Sequence, residues 1–508
     1  MKHIYKFLFL FAFAAFTFMN SLAQLTPQQA VKQMTRGINI GNTMESPTEG
    51  AWGNAPVQEV YFDDYKTAGF TSVRIPITWD AHTLTSSPYT INAAWLTRVK
   101  QVVDWGLERG LIITINAHHE AWLKSDSSYA LAKTRDRFDS IWSQISSACK
   151  DRSDSLIFEI INEPKGLSLA NVNDINARVL SIIRKTNPTR LVIFSGNEWA
   201  NSDQLVAATV PDTADHHLIG YYHSYDPYPF GLEGPGTYGS NADISKTIAK
   251  FDQVTTWSVA HNIPVILSEF GAQKRCEYNS RMIYYATVVE QALRHGVAFN
   301  VWDDGGDFQI MLRSQNTWND LKDIVIYTYK ESPTKLKTNI SSDKIVSLSW
   351  TNRTTDNDSI FIDRKTINSD FTLLAKIAHD AAQFNDSTAK TEDTVFYRLR
   401  TRLKDSINLY SYPIKVPIVP SPVAVKQIKN FEGPTIYPNP ATDDITVTLK
   451  DGGTTANLDV FDILGNHLKS VKMYTAETTL NISGLNRGAY FFKVTSLNLI
   501  SVKSILIQ

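Results

Sequence analysis

Between Leu25 and Ser332 the chain alternates short apolar runs with longer amphipathic stretches. The short runs are Gly37–Ile40, Ser72–Ile77, Leu111–Asn116, Leu156–Ile161, Leu191–Ser195, His217–Tyr222, Pro264–Ser268 and Val297–Trp302. Near-continuous apolarity marks strands buried on both faces, as in Ile112-Ile113. Between them the pattern predicts helices over Pro56–Ala68, Asn92–Arg109, Lys133–Cys149, Val172–Lys185, Ile244–His261 and Arg281–His295. Several of these end in a glycine stop, as at Ala68-Gly69, Arg109-Gly110 and His295-Gly296. The alternation predicts a (β/α)₈ TIM barrel over residues 24–332. The rival is a doubly wound sheet, but no G-x-G-x-x-G follows the first run.

After Ser332 the helical periodicity stops. Residues 335–416 read as short alternating strands such as Ile345–Trp350, Ser359–Arg364 and Thr394–Thr401, and residues 433–508 as a second β segment. Both are expected to be small all-β sandwiches. Pro413–Pro422 has four prolines in ten residues and reads as a stiff joint, with the linker placed at 417–432. At the other end, Lys2, His3 and Lys6 precede the apolar run Phe7–Phe18, and Ser21-Leu22-Ala23 supplies small residues for cleavage. Residues 1–23 therefore read as a secretory signal peptide. No other segment is long and apolar enough for a membrane helix.

Composition narrows the function. Fifty Lys and Arg stand against 51 Asp and Glu, which argues against a nucleic-acid partner. Eleven Trp and 21 Tyr suit stacking on flat, weakly charged ligands such as sugars, with core packing the alternative that claims at least half of them. Cys149 and Cys276 are too few for a disulfide framework and are expected as isolated buried thiols.

In such a barrel the chemistry sits at the C-terminal strand ends. The fourth run ends in Asn162-Glu163-Pro164 and the seventh in Glu269-Phe270-Gly271. Two carboxylates at opposite strand mouths can converge on one glycosidic bond. Retaining hydrolysis needs them about 5–5.5 Å apart. His118-His119-Glu120 offers an alternative zinc site, but adjacent strand residues point to opposite faces. Asp303–Asp307 has acidic calcium-loop composition without an EF-hand Glu, so a polar loop is expected there. Asn42 and Glu45 follow the first strand and are expected to face the cleft. Trp79, Trp122 and Trp199 lie past strand ends as candidate sugar platforms, with core packing an equal alternative.

The ordered motifs GINIGNTME, GFTSVRIPITW, INAHHEAW, FEIINEP, GYYHSYDPY, PVILSEFG and FNVWDDGG resemble glycoside hydrolase family 5. The resemblance implies Glu163 as general acid/base and Glu269 as nucleophile, with Arg74 compensating its charge. It implies Asn162 at the sugar 2-hydroxyl and His118, with His119 nearby, at the glycone site. It places His223 and Tyr225 beside the nucleophile and Trp302 beneath the sugar. A secreted endo-β-1,4-glucanase acting on β-glucan is implied, without metal or cofactor and as a monomer. A mannanase or xyloglucan-active enzyme on the same machinery, or a non-catalytic glycan binder, are the alternatives. The 335–416 pattern, with Trp350 and Tyr397 as core aromatics, resembles a fibronectin type III module. YPNPATDDITVTL, LDVFDILGNHL and LNISGLNRGAYFFKV resemble the C-terminal sorting domain of the type IX secretion system. That resemblance implies the type IX machinery as a partner, and export through the periplasm of a Gram-negative bacterium to the cell surface or medium.

Overall fold

All eight expected runs become strands of one closed sheet. The structure, a computed structural model, describes residues 24–355, 357–389, 394–403, 407–418, 434–449, 455–463, 465–496 and 499–508. The expected signal at 1–23 and nearly all of the 417–432 linker lie outside the described residues. The strands are β1 (Arg36–Asn39), β2 (Ser72–Ile75), β3 (Ile112–Asn116), β4 (Leu156–Glu159), β5 (Val192–Phe194), β6 (Leu218–Ser224), β7 (Val265–Phe270) and β8 (Ala298–Val301). They pair in parallel in sequence order, and β8 closes on β1. Every residue of β1–β5, β7 and β8 is buried, as the near-continuous apolar runs require.

The helices are α1 (Pro27–Met34), α2 (Glu59–Ala68), α3 (Ala93–Glu108), α4 (Asp126–Tyr129), α5 (Ala132–Cys149), α6 (Leu169–Arg184), α7 (Ser202–Ala207), α8 (Asn241–His261), α9 (Tyr278–His295) and α10 (Asp320–Tyr327). Helix α1 is absent from the sequence reading. Thr26 and Gln29 form a capping box around Pro27, and Ala30, Val31 and Met34 are buried with inward-facing strand residues such as Ile112, Ile157 and Ile266. Gly69 and Gly296 end α2 and α9 in the left-handed region, at φ 105° and 65°, where a side chain would be strained. Cys149 and Cys276 are free and buried.

Beyond the barrel lie two pairs of sheets. Strands Thr334–Ile340, Val346–Thr351 and Gln383–Asp386 make one sheet of the second module; Asn357–Thr366, Thr372–Ala378, Thr394–Leu403 and Asn408–Tyr410 make the other. Trp350 and Tyr397 are both in its core. One boundary needs correction. Ile414–Pro417, inside the Pro-rich stretch read as a linker, is a strand paired with Thr394–Tyr397. It pairs on one side only, which leaves room for a proline. The C-terminal segment has its own core between two sheets, around Ile445, Leu458, Phe492 and Ile505.

The barrel and the second module form one unit, and the C-terminal segment another. The contact within the first unit is specific. Asn279 on α9 bonds the Lys415 main chain twice, at 3.1 and 2.7 Å. Tyr278 meets Phe396 edge-on, and Tyr327 packs on Tyr410. Lys365 and Arg398 pair with Asp320 and Asp323 of α10 at 2.6 and 2.5 Å. A chain cut after Ser332 would expose this face of α9 and α10. Its thermal midpoint should fall by at least about 5 °C in calorimetry, while turnover of the folded fraction on soluble glucan stays near that of the full chain. An unchanged midpoint would show that the module braces nothing.

Candidate active site

A buried charge in a barrel strand survives only if paired. Arg74 on β2 is fully buried, and all five of its N–H groups are used. Nε and Nη2 grip Glu159 of β4 at 2.7 and 2.6 Å; Nη2 also donates to Asn162 Oδ1 at 2.8 Å. Nη1 donates to Asn39 Oδ1 at 2.9 Å and to Glu269 Oε1 at 2.6 Å. Burial opposes its charge, but Glu159 and Glu269 outweigh burial and raise its pKa. Arg74 does meet Glu269, as expected, but its two-pronged partner is Glu159, absent from the sequence reading. Asn116 completes the layer, donating to Glu159 at 2.9 Å.

Glu269 ends β7 with both oxygens occupied: Oε1 by Arg74 and Oε2 by the Tyr225 hydroxyl at 2.8 Å. Glu163 sits two residues beyond Ile161, at a strained φ of 38°. The preceding turn is pinned by Tyr221, whose hydroxyl donates to Ile161 O at 2.6 Å and accepts the Glu163 N–H at 3.3 Å. His223 Nδ1 lies 2.8 Å from Glu163 Oε1 and 3.6 Å from Glu269 Oε2. One atom each of Glu163, His223 and Glu269 fall within 4.8 Å of one another. Among the described residues this is the one His–carboxylate group compact enough for a metal. A cation there would compete with the donors already on Glu269, so the trio fits a proton pair better than a metal set. Among the described residues Glu163 Oε2 has no protein partner, and its side chain is a quarter exposed.

Burial raises the proton affinity of both acids. At Glu269 it outweighs His223 and Arg74, leaving the group above the usual carboxylate range. At Glu163 the hydrogen bond and charge of His223, with Lys124 and Arg74, overcome burial and hold it below that range. Hydrogen bonding ranks them oppositely: a proton on Glu269 would displace a donor, whereas Glu163 has a free oxygen. The His223 hydrogen bond is the largest pull on Glu163 and its charge the next, and a proton on Glu163 Oε2 would leave that hydrogen bond in place.

His118 is buried, and burial together with His119 and Arg74 lowers its pKa well below the usual value, so the ring is neutral. Asn116 Oδ1 accepts from Ile77 N, so its Nδ2 donates to His118 Nδ1 at 3.0 Å. The His118 proton is thereby assigned to Nε2. Asn162 Oδ1 is held by Arg74, so its Nδ2 is also a donor, 3.3 Å from that Nε2. Two donors set side by side suit a substrate oxygen. The Trp302 ring lies parallel to His118, with centroids 6.1 Å apart. The space over Gly41 is closed to any side chain, since a Cβ there would come within 2.7 Å of Trp302. His119 is exposed, its ring perpendicular to His118 and edge-on to Trp52.

Other expectations change. Glu120, the third residue of the zinc alternative, is buried and accepts from Trp79 N and Trp122 Nε1, both at 2.7 Å. Glu45 does not face the cleft: it is buried and accepts the Asn42 and Thr43 main-chain N–H groups, with burial pushing it up to about 7. Asn42 is half-buried, its carbonyl held by Asn54. Trp79 is core, donating to Asn116 O; Trp122 is covered by Arg137. Trp199 is 48% exposed, on three consecutive left-handed residues, Glu198 to Ala200. The Asp303 and Asp304 carboxylates accept from the main chain of Gly305, Gly306, Phe308 and Met311, which makes this a self-capped loop.

Three likenesses agree with this geometry. Endoglucanase H of Acetivibrio thermocellus is 45% identical over 280 residues, 55% of this chain; the match spans only 30% of that protein. A solved hyperthermophilic endo-beta-1,4-glucanase in complex with substrate is 34% identical, with TM-score 0.56, covering 59% of this chain and 99% of that one. A tri-modular GH5 (subfamily 4) endo-beta-1,4-glucanase from Bacillus licheniformis is 25% identical with TM-score 0.63, over 95% of this chain and all of that one. Residues 435–508 match the secretion system C-terminal sorting domain. Residues 31–306, carrying both strand-end glutamates, match the cellulase family, and the chain belongs to glycosyl hydrolase family 5.

Proposed function

We propose that the barrel is a retaining endo-β-1,4-glucanase that cuts internal bonds of β-glucan. The observation that carries this is the pairing of Glu163 and Glu269, with oxygens within 4.8 Å across the barrel mouth. In the first step Glu269 attacks the anomeric carbon while Glu163 gives its proton to the leaving oxygen. The C–O bond to the aglycone breaks as the bond to Glu269 Oε forms. In the second step Glu163 takes a proton from water, whose oxygen displaces Glu269. Arg74 and Tyr225 hold Glu269 on the attacking side and stabilise its return as carboxylate. The His118 and Asn162 donors suit hydroxyls of the bound glucosyl unit, and Trp302 suits its apolar face. Neither step calls for a metal or cofactor.

The substrate reading draws on the likeness to endoglucanases. Reducing-sugar release from carboxymethyl cellulose, barley glucan, xyloglucan and mannan tests it. Rates highest on a β-1,4-glucan support it; a mannan preference overturns the substrate and leaves the mechanism. Trp199, half-exposed beyond β5 with the Lys165 ammonium 4.1 Å over its ring, is a candidate outer platform. Trp199→Ala should raise KM for long glucans about 3- to 10-fold, with little change on aryl cellobiosides. Equal effects on both substrates would remove it from the binding site.

The sorting-domain match supports export to the surface or medium, with the type IX machinery as partner and the periplasm as route. No helix among the described residues is long and apolar enough to cross a membrane. Action as a monomer is part of this reading. The resemblance of 335–416 to fibronectin type III stands as our reading of that module.

A further inference from the structure

Lys124, beyond β3, carries a charge that the mechanism above does not use. It is half-buried, and its Nζ donates to His118 O at 2.7 Å. Among the described residues no carboxylate pairs with it directly, so two of its N–H groups are free of protein acceptors. The loop bearing Glu163 packs against it: a Cβ at Gly166 would come within 2.6 Å of Lys124 O. Half-buried cations without a carboxylate partner are costly, and the charges of the surrounding acids, Glu163 foremost, favour this one.

We propose that Lys124 is a positioning residue for the general acid, fixing the His118 main chain and supplying a positive charge on the β3 side of Glu163, opposite His223. The inference rests on the reading of Glu163 as acid. Glu163 from the loop beyond β4, Glu120 from its own loop, Glu269 from β7 and Glu159 from β4 favour its charge. It in turn disfavours charge on His118 and His119 and, with Arg74 of β2 and His223 of β6, holds Glu163 down. Burial pushes the ammonium down to about 8, so mildly alkaline solution discharges it. Without it Glu163 keeps its proton to higher pH.

The test is the pH profile of kcat/KM for the full-length enzyme on phenyl β-cellobioside, whose leaving group needs an acid, and on 2,4-dinitrophenyl β-cellobioside, whose leaving group does not. Lys124→Gln keeps a donor for His118 O without the charge. It should move the alkaline limb up by about half to one pH unit on the phenyl substrate only. Lys124→Arg should restore the wild-type limb, and Lys124→Met should add a rise in KM to the shift. An unmoved limb in both Lys124→Gln and Lys124→Met overturns the proposal, as does an equal shift on both substrates. Glu163→Gln is the separate control. If it hydrolyses the phenyl substrate as fast as wild type, the acid assignment itself fails, whatever Lys124 does.

Discussion

Glu269→Ala should lose hydrolysis of β-glucan by on the order of 10⁴- to 10⁶-fold, the scale seen when a nucleophile is removed. The loss should be in kcat, because His118, Asn162 and Trp302 remain to bind sugar. Glu163→Gln should behave differently. General acid assistance contributes about 10²- to 10⁴-fold, and that loss should appear on natural glycans and nearly vanish on dinitrophenyl cellobioside. Azide separates the two further. In the cavity left by Glu269→Ala, azide would attack from the nucleophile's side and give an α-glycosyl azide from an activated substrate. In Glu163→Ala it would intercept the glycosyl-enzyme from the opposite face and give the β product. Exchange of these outcomes would exchange the roles.

Arg74→Met should be the most destabilising single change in the barrel. It leaves Glu159 fully buried with no cation, and Asn39, Asn162 and Glu269 each lose a donor. Breaking a buried pair from one side costs about 3–5 kcal/mol. The folded fraction should also be impaired, since Glu269 loses its shorter hydrogen bond. Urea unfolding followed by tryptophan fluorescence reads the first effect, and a cost below about 1 kcal/mol would mean the layer is hydrated or rearranges. Arg74→Lys should recover little, because an ammonium cannot span Glu159 and Glu269 as a guanidinium fork does.

The barrel was legible because strands buried on both faces leave an unbroken apolar signature, and because polar residues just past those runs mark the mouth. Glu163 and Glu269 announced themselves that way. Glu159 did not, since it lies inside the run Leu156–Ile161 and its partner is 85 residues away on β2. A charge in the middle of an apolar strand is nonetheless a signal that something opposite it must be charged. Tyr221 was hidden for the same reason: an inward tyrosine reads as core until its hydroxyl is seen holding Ile161 and Glu163. Glu45 misled in the other direction. Its position after β1 suggests the cleft, but two main-chain N–H groups three and two residues back capture it locally. The strand Ile414–Pro417 was masked by proline density, which edge pairing tolerates. The docking of α9 and α10 on the second module depends on residues more than 40 apart, and no local pattern encodes it.

The central claim is double displacement across two carboxylates, and the anomer first released tests it most directly. Proton NMR during the opening minutes of cellopentaose hydrolysis, before mutarotation, should show the β-anomer of the new reducing end accumulating ahead of the α-anomer. Initial release of the α-anomer would mean direct displacement by water, and would contradict the assignment of Glu269 as nucleophile.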